Sequence, residues 1–289
     1  MAQLSQRLAG DEHEHEAEVV PVDIFKDGSG TPLCCIHDGF GLSWSYRSLA
    51  TYHDGPVIGI NQVPSAGEAE PDSIAGMAVL YADRIQALYP SGPYQLLGWS
   101  IGGVIAHEVA IELRRRGAVV ERLILLDPAL TPVAAFPTRR SLDKSRIFEK
   151  IVAASKSEVP ARSRQLVFQR AAELMDEGDG GQRELPLPLE GMLGLMARSL
   201  DANTRRLRRH RPGVFDGDAV VFVAVQGEGL GKMLPGFQAK MANEGQMRRW
   251  RRNVAGDISS VPVECTHHTM LTEESLKLYG EQLREALDG

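Results

Sequence analysis

The sequence lacks the long apolar runs that mark membrane-spanning helices and exported proteins. No run approaches the roughly 18 consecutive apolar residues that a transmembrane helix needs. The N-terminal stretch MAQLSQRLAGDEHEHEAE has none of the apolar core of a secretory signal. Cysteine is also scarce: three residues, an odd number, do not make a disulfide framework. Together these absences favour a cytoplasmic protein that has no membrane partner.

An excess of positive charge is missing as well. The 32 lysines and arginines are outnumbered by 38 aspartates and glutamates, which leaves a formal net charge of −6. Proteins that bind nucleic acids usually carry a basic surface, so a nucleic-acid partner is not expected. With 289 residues, 43% of them hydrophobic, the chain can bury a substantial core within one domain.

The first part of the chain is not predicted to join that core. Residues 10–18 read GDEHEHEAE, an acidic segment with little to bury, which is typical of a solvated linker. His13 and His15 alternate with glutamates there, but a flexible tether is favoured over a metal site. The residues ahead of this segment match the end of a helix from an upstream domain. We therefore expect residues 1–20 to be a linker or the end of such a domain, and residues 21–289 to be the folded domain.

Short apolar runs alternate with amphipathic helical stretches as far as residue 127. The predicted strands and helices are, in chain order, strand 32–36, strand 57–61, helix 73–88, strand 94–97, helix 101–116 and strand 123–126. A repeated strand–helix order implies an α/β protein with a mostly parallel central sheet and helices on both faces.

The alternation stops after residue 127 and resumes only near residue 219. Between them the pattern predicts helical stretches and no clear strand; these stretches are 141–155, 162–175 and 190–209. Strands are then predicted at 219–225 and 261–265, with a last helix that begins near Thr272. We interpret residues 130–213 as a helical lid over the carboxyl edge of the sheet, where ligands bind in such folds.

One short motif carries the strongest chemical signal. Residues 98–102 read G-W-S-I-G and match the pattern G-x-S-x-G, with a predicted strand before it and a predicted helix after it. The sharp turn crowds its flanks, so it needs small residues, which Gly98, Gly102 and Gly103 supply. The turn lifts the Ser100 hydroxyl above the sheet at the positive end of the helix. This context is typical of the α/β-hydrolase fold and predicts Ser100 as a nucleophile.

A serine hydroxyl is a weak nucleophile unless a base accepts its proton. In this fold the acid and then the histidine follow the serine along the chain. His267 and His268 directly follow the last predicted strand, and we favour His267 as the base while His268 stays open. Asp127 ends the strand LILLD and is the favoured acid, with Glu228 as the alternative.

Acyl transfer also needs an oxyanion hole, which is a pair of hydrogen-bond donors for the tetrahedral intermediate. One donor is expected to be the backbone N–H of Ile101, the residue after the nucleophile. The other should come from the glycine-containing loop after the first predicted strand, with Gly39 named first and Phe40 second. His37 and Asp38 lie in the same loop and are interpreted as its scaffolding.

Four segments together resemble the thioesterase domains that end non-ribosomal peptide synthetases: PLCCIHDGFGLSWSY, GPYQLLGWSIGGVIAHEVA, LLDPAL and THHTML. The resemblance spans about residues 30–285, and within the predicted lid it extends only to helical character. Two details depart from the family pattern. His-Pro often opens the oxyanion loop where this chain has His37-Asp38, and Gly or Asp often precedes the catalytic histidine where this chain has Thr266.

The resemblance implies a reaction in two steps. A peptidyl thioester substrate arrives on the phosphopantetheine arm of an upstream peptidyl carrier protein domain, and Ser100 takes the acyl group with His267 as base. Water, a nucleophile of the same chain or a second chain then releases it by hydrolysis, macrocyclisation or cyclo-oligomerisation. No cofactor or metal is expected in the domain itself. Residues 1–20 resemble the junction after a carrier domain, and depsipeptide synthetases are one candidate source.

Three other functions compete with this interpretation. A free-standing editing thioesterase, which hydrolyses mis-acylated carrier proteins, would share the triad but is expected to have a smaller lid. A general esterase or lipase often carries HGGG in its first oxyanion loop, and that motif is absent here. A ligand-binding protein on an inactive hydrolase scaffold would normally have lost Ser100, Asp127 or His267.

Overall fold

In the computed structural model, which describes residues 19–65, 67–129, 189–226 and 235–289, seven strands form one central sheet. The strands are β1 (Val22–Lys26), β2 (Leu33–Ile36), β3 (Val57–Ile60), β4 (Tyr94–Trp99), β5 (Val120–Leu126), β6 (Ala219–Ala224) and β7 (Ile258–Val263). Their order across the sheet is β1-β3-β2-β4-β5-β6-β7. Strand β1 is antiparallel to β3, and every other neighbouring pair is parallel. The predicted mostly parallel sheet is therefore confirmed.

Helices cover both faces of this sheet. They are α1 (Ile74–Leu88), α2 (Ile101–Arg115), α3 (Leu189–Arg209), α4 (Pro235–Trp250) and α5 (Glu273–Asp288), with a 3₁₀ helix at Trp44–Thr51. Successive strand residues point to opposite faces, so Leu96 joins the core under α1 and α2 while Leu97 joins the core under α5. None of the described helices is both long and apolar enough to cross a bilayer.

The helix boundaries follow from local hydrogen bonding. Ser73 and Thr272 precede α1 and α5, and each side-chain oxygen accepts a backbone N–H from three residues further on. Gly117 closes α2 with a φ of 82°, a left-handed conformation that favours glycine, and its N–H donates to the Arg114 carbonyl. The predicted start of the last helix at Thr272 is confirmed.

Several elements differ from their predicted bounds. Strand β1 was not predicted, because an edge strand reading VDIFK is not an apolar run. Strand β7 begins at Ile258 instead of residue 261, since Ser259 and Ser260 interrupt the apolar pattern in this edge strand. Helix α4 was also not predicted. The predicted helix 190–209 is confirmed as α3, whereas the predicted helices 141–155 and 162–175 and the linker residues 1–18 lie outside the described residues.

The parallel arrangement brings distant parts of the chain to one edge. Strands β2, β4, β5 and β7 all end there, so the residues that follow them become neighbours. These residues are the loop at 37–43, Ser100, Asp127 and the segment at 266–272. The sheet therefore gathers every residue that the sequence singled out for chemistry and that the structure describes.

Candidate active site

Ser100 lies in a strained turn between β4 and α2. Its φ of 59° and ψ of −125° are values that L-residues rarely adopt. The turn closes only because its neighbours are glycines. A Cβ on Gly98 would lie 2.1 Å from the Gly102 carbonyl oxygen, and one on Gly102 would lie 2.5 Å from the His37 carbonyl oxygen. The Ser100 N–H donates to the Leu126 carbonyl at 3.0 Å, which ties the turn to the next strand.

The structure brings Ser100, His267 and Asp127 together in one hydrogen-bonded chain. His267 Nε2 lies 3.0 Å from Ser100 Oγ, and His267 Nδ1 lies 2.6 Å from Asp127 Oδ2. A carboxylate accepts, so Nδ1–H donates to Asp127 and leaves Nε2 to accept the serine proton. His268 instead packs edge-on against the His267 ring, with 5.3 Å between ring centroids. Glu228, the alternative acid, lies outside the described residues.

Two further side chains contact His267 and Asp127 and hold them in place. The Trp99 indole N–H donates to the His267 carbonyl at 3.1 Å, and its ring lies against the imidazole with 5.2 Å between centroids. Gln246, on α4, donates from Nε2 to the second carboxylate oxygen of Asp127 at 3.3 Å. Trp99 could have been noticed as the residue between glycine and serine in the motif. Gln246 has no sequence signal, because only the packing of α4 brings it near Asp127.

The backbone amides of the loop after β2 differ in whether they already have an acceptor. The Asp38 N–H donates to the Leu42 carbonyl, the Phe40 N–H to Asp38 Oδ1 at 2.8 Å, and the Gly41 N–H to the Asp38 carbonyl at 3.1 Å. Among the described residues, the Gly39 N–H has no such acceptor. The geometry therefore favours Gly39 over Phe40, whose amide is already engaged by Asp38.

Helix α2 begins at Ile101, directly after Ser100. Amides in the first turn of a helix lack acceptors within the helix, so the Ile101 N–H can donate to a ligand above Ser100. The loop and this helix start are close neighbours, since a Cβ built on Gly39 would lie 3.7 Å from Ile101 Cγ2. The backbone amides of Gly39 and Ile101 therefore belong to two elements that contact each other next to Ser100.

His37 supports this loop as a neutral imidazole. It is fully buried, with Nδ1 2.7 Å from the Asp38 carbonyl oxygen and Nε2 2.7 Å from the Tyr81 hydroxyl. Burial lowers the pKa of His37 to about 4. The neutral ring donates a hydrogen bond from Nδ1–H to the Asp38 carbonyl and accepts one from the Tyr81 hydroxyl at Nε2. These contacts fit the role of scaffolding that was predicted for His37.

Comparison with protein families places these features in a known group. A family model described as thioesterase domain matches residues 31–283. Among curated proteins, the malpibaldin synthetase of Mortierella alpina is 28% identical over 99% of this chain. A dimodular nonribosomal peptide synthase of Bacillus subtilis is 25% identical over the whole chain. The chain spans only 5% and 12% of the lengths of these two relatives.

Solved structures share the same α/β-hydrolase architecture. The crystal structure of the NocB thioesterase domain, in covalent complex with a fluorophosphonate nocardicin G analogue, is 25% identical and superposes with a TM-score of 0.61. The match covers 93% of this chain and 100% of that chain. The predicted fold class is confirmed by this likeness and by the family model.

The buried neutral His37 predicts a pH dependence of stability. Because its pKa is lowered from about 6.5 to about 4 in the folded state, the unfolded chain binds more protons between these values. The contribution to stability is complete above about pH 6.5 and is lost as the pH falls towards 4. Between pH 7 and pH 5 the free energy of unfolding should decrease by about 2 kcal/mol from this residue alone.

Urea unfolding at the two pH values, on the wild type and on His37→Asn, measures that contribution. Asparagine keeps an amide donor near the position of Nδ1 but does not titrate. The variant should be less stable at both values and should lose about 2 kcal/mol less than the wild type on acidification. An equal loss in both proteins would contradict a neutral buried His37.

Proposed function

The chain belongs to the thioesterase domain family, and from that premise we propose that it releases a peptidyl or depsipeptidyl chain from a carrier-protein thioester through an acyl-enzyme on Ser100. The observation that carries the proposal is the continuous hydrogen-bonded series from Asp127 through His267 to Ser100 Oγ, at 2.6 and 3.0 Å. Such a series activates a hydroxyl for attack on a carbonyl carbon.

The first half-reaction transfers the acyl group to the protein. Ser100 Oγ attacks the thioester carbonyl carbon while its proton passes to His267 Nε2, and the carbonyl oxygen becomes an oxyanion. The backbone N–H groups of Ile101 and Gly39 donate to that oxygen. When the intermediate collapses, the carbon–sulfur bond breaks and His267 returns the proton to the departing thiolate. Asp127 stabilises the imidazolium without taking its proton.

The second half-reaction releases the chain with the same groups. His267 removes a proton from the incoming nucleophile, which attacks the Ser100 ester, and the proton then returns to Ser100 Oγ. Water gives a free acid, a nucleophile of the same chain gives a macrocycle, and a second chain gives an oligomer that can later close. Exclusion of water from the site decides among these outcomes, and we assign that task to residues 130–213 as a lid.

The described end of the predicted lid supports this assignment. Helix α3 packs against the oxyanion loop, since a Cβ built on Gly39 would lie 3.3 Å from Leu200 Cδ1. An acyl group attached to Ser100, with its carbonyl oxygen next to this loop, would therefore lie near side chains of α3.

Delivery by a carrier domain fits the way in which the chain enters the fold. Val22 at the start of β1 pairs with Ile60 at the end of β3, so the residues before β1 approach at the same edge as Ser100. We propose that residues 1–20 are a linker that holds an upstream peptidyl carrier protein domain on this side. The relatives are many times longer than this chain, which favours a domain within a synthetase over a free-standing editing thioesterase.

Intact mass spectrometry with a peptidyl N-acetylcysteamine thioester tests the proposal. The wild type should show an added mass equal to the acyl group, and Ser100→Ala should show none, because it lacks the attacking oxygen. The products identify the second nucleophile as water, the chain's own group or another chain. Equal turnover by wild type and Ser100→Ala would contradict the nucleophile. No acylation from either the mimic or a carrier-bound chain would contradict the substrate class.

A paired substitution separates the two candidate acids. Asp127→Asn should lower kcat by about 10³- to 10⁴-fold, as expected when the imidazole loses its orienting carboxylate. Glu228→Gln should retain nearly the wild-type kcat and serves as the matched control. Steady-state kinetics with the thioester substrate measure both. The reverse pattern, with Glu228→Gln inactive and Asp127→Asn active, would make Glu228 the acid.

A further inference from the structure

Helix α3 contacts the oxyanion loop at two glycines. A Cβ built on Gly41 would lie 2.7 Å from Ser199 Oγ, and Gly39 faces Leu200. The φ of Gly41 is 83°, so this position favours glycine on conformational grounds as well. The loop backbone therefore lies against side chains of α3. A Cβ on Gly41 would clash with Ser199, whereas one on Gly39 would need a small shift of Leu200.

Below this contact four polar side chains form a closed ring of hydrogen bonds. Arg206 donates to Asn203 Oδ1 at 3.1 Å and to Glu70 Oε1 at 2.7 Å. Asn203 donates from Nδ2 to Gln62 Oε1 at 2.6 Å, and Gln62 donates from Nε2 to Glu70 Oε1 at 3.2 Å. Asn203 is 1% exposed, and Arg206 and Gln62 are each 9% exposed. The ring joins α3 to the segment between β3 and α1.

Among the described residues, two side-chain hydrogen bonds leave the ring. Arg206 donates to the Pro71 carbonyl at 2.6 Å, and the second bond leads to the oxyanion loop. Asn203 Nδ2 also donates to the Gly39 carbonyl at 3.2 Å. The orientation of the Asn203 amide is determined by its neighbours, because its oxygen faces a guanidinium that can only donate and its nitrogen faces two oxygens that accept. The ring thus presents an amide N–H to Gly39 in one defined direction.

This bond completes the hydrogen bonding on both sides of Gly39. The Asp38 carbonyl accepts from the Gly41 N–H and from His37 Nδ1, the Phe40 N–H donates to Asp38, and the Gly39 carbonyl accepts from Asn203. With both flanking peptide groups held, the direction of the Gly39 N–H is determined. A preorganised donor stabilises an oxyanion better than one that must reorient during the reaction.

We propose that Asn203 is a positioning residue through which helix α3 holds the oxyanion loop. The inference rests on the proposed acyl transfer at Ser100 and adds a residue that does not touch the substrate. The Asn203 amide holds the Gly39 carbonyl, and through it the peptide groups that direct the Gly39 N–H.

The test compares Asn203, near the carboxyl edge of the sheet, with Asn253, which precedes β7 at the amino edge. The side-chain amide of each residue donates to a backbone carbonyl. Asn203→Asp keeps the shape of the side chain and the oxygen that accepts from Arg206. It removes the amide N–H that donates to the Gly39 carbonyl. Asn253→Asp is the matched control, because Asn253 Nδ2 also donates to two carbonyl oxygens, which are those of the Pro212 and Gly213 backbone ahead of β6. Asn203→Ala, which introduces no charge, is the second variant.

Three measurements are made on each protein: kcat and KM for a peptidyl N-acetylcysteamine thioester, the affinity for a peptidyl trifluoromethyl ketone, and Tm. The ketone forms a tetrahedral adduct on Ser100 whose oxyanion needs the same donors as the reaction. Both Asn203 variants should lower kcat/KM about tenfold, a fraction of what loss of a whole oxyanion donor costs. Their affinity for the ketone should fall by the same factor with KM nearly unchanged. Asn253→Asp should lower Tm only.

Two results would overturn the inference. Wild-type kcat/KM and ketone affinity in both Asn203 variants would show that the bond to Gly39 does not position the donor. Equal losses in Asn203→Asp and Asn253→Asp, in proportion to Tm, would show a purely structural role. Failure of the proposed function looks different, because the wild type would then transfer no acyl group at all.

Discussion

The left-handed turn at Ser100 is the constraint on which the rest of the site depends. A non-glycine residue in that conformation costs about 1–3 kcal/mol and persists only when its surroundings hold it. Here they do so through the glycines on both sides, whose missing side chains admit the carbonyls of Gly102 and His37, and through the hydrogen bond to Leu126. The same turn directs the Ser100 hydroxyl to His267, and in the proposed reaction it supplies the Ile101 amide to the reacting oxygen. The backbone strain, the proposed nucleophile and one proposed oxyanion donor are therefore consequences of a single backbone geometry.

The second donor depends on hydrogen bonds that are satisfied around it. Buried polar groups in proteins are almost always paired, and the loop after β2 follows this rule at Asp38, Phe40 and Gly41. A neutral His37 and the Asn203 amide complete the pairing from two different elements. Loss of the Asn203 amide would remove the hydrogen bond that the Gly39 carbonyl accepts from helix α3. The proposed catalytic geometry and the local stability of the loop thus depend on the same contacts.

Much of the site could be predicted because its requirements are local. The turn at Ser100 needs glycines at neighbouring positions, and the positions that follow strands are readable once the strands are. The choice between Gly39 and Phe40 could not be made from the sequence, since it depends on which amide the Asp38 side chain engages. Gln246 and Asn203 were missed because they reach the site only through the packing of α4 and α3. Strand β1 was missed because an edge strand has no continuous apolar pattern.

In the proposed reaction, Ser100 forms a tetrahedral intermediate whose oxyanion accepts hydrogen bonds from the Ile101 and Gly39 amides. A crystal structure of the covalent adduct that Ser100 forms with a peptidyl fluorophosphonate shows these contacts directly. We expect a phosphonyl oxygen within about 3 Å of the backbone nitrogens of both Ile101 and Gly39, with the Phe40 N–H still bound to Asp38. A phosphonyl oxygen bonded to the Phe40 N–H, or directed away from both amides, would contradict it.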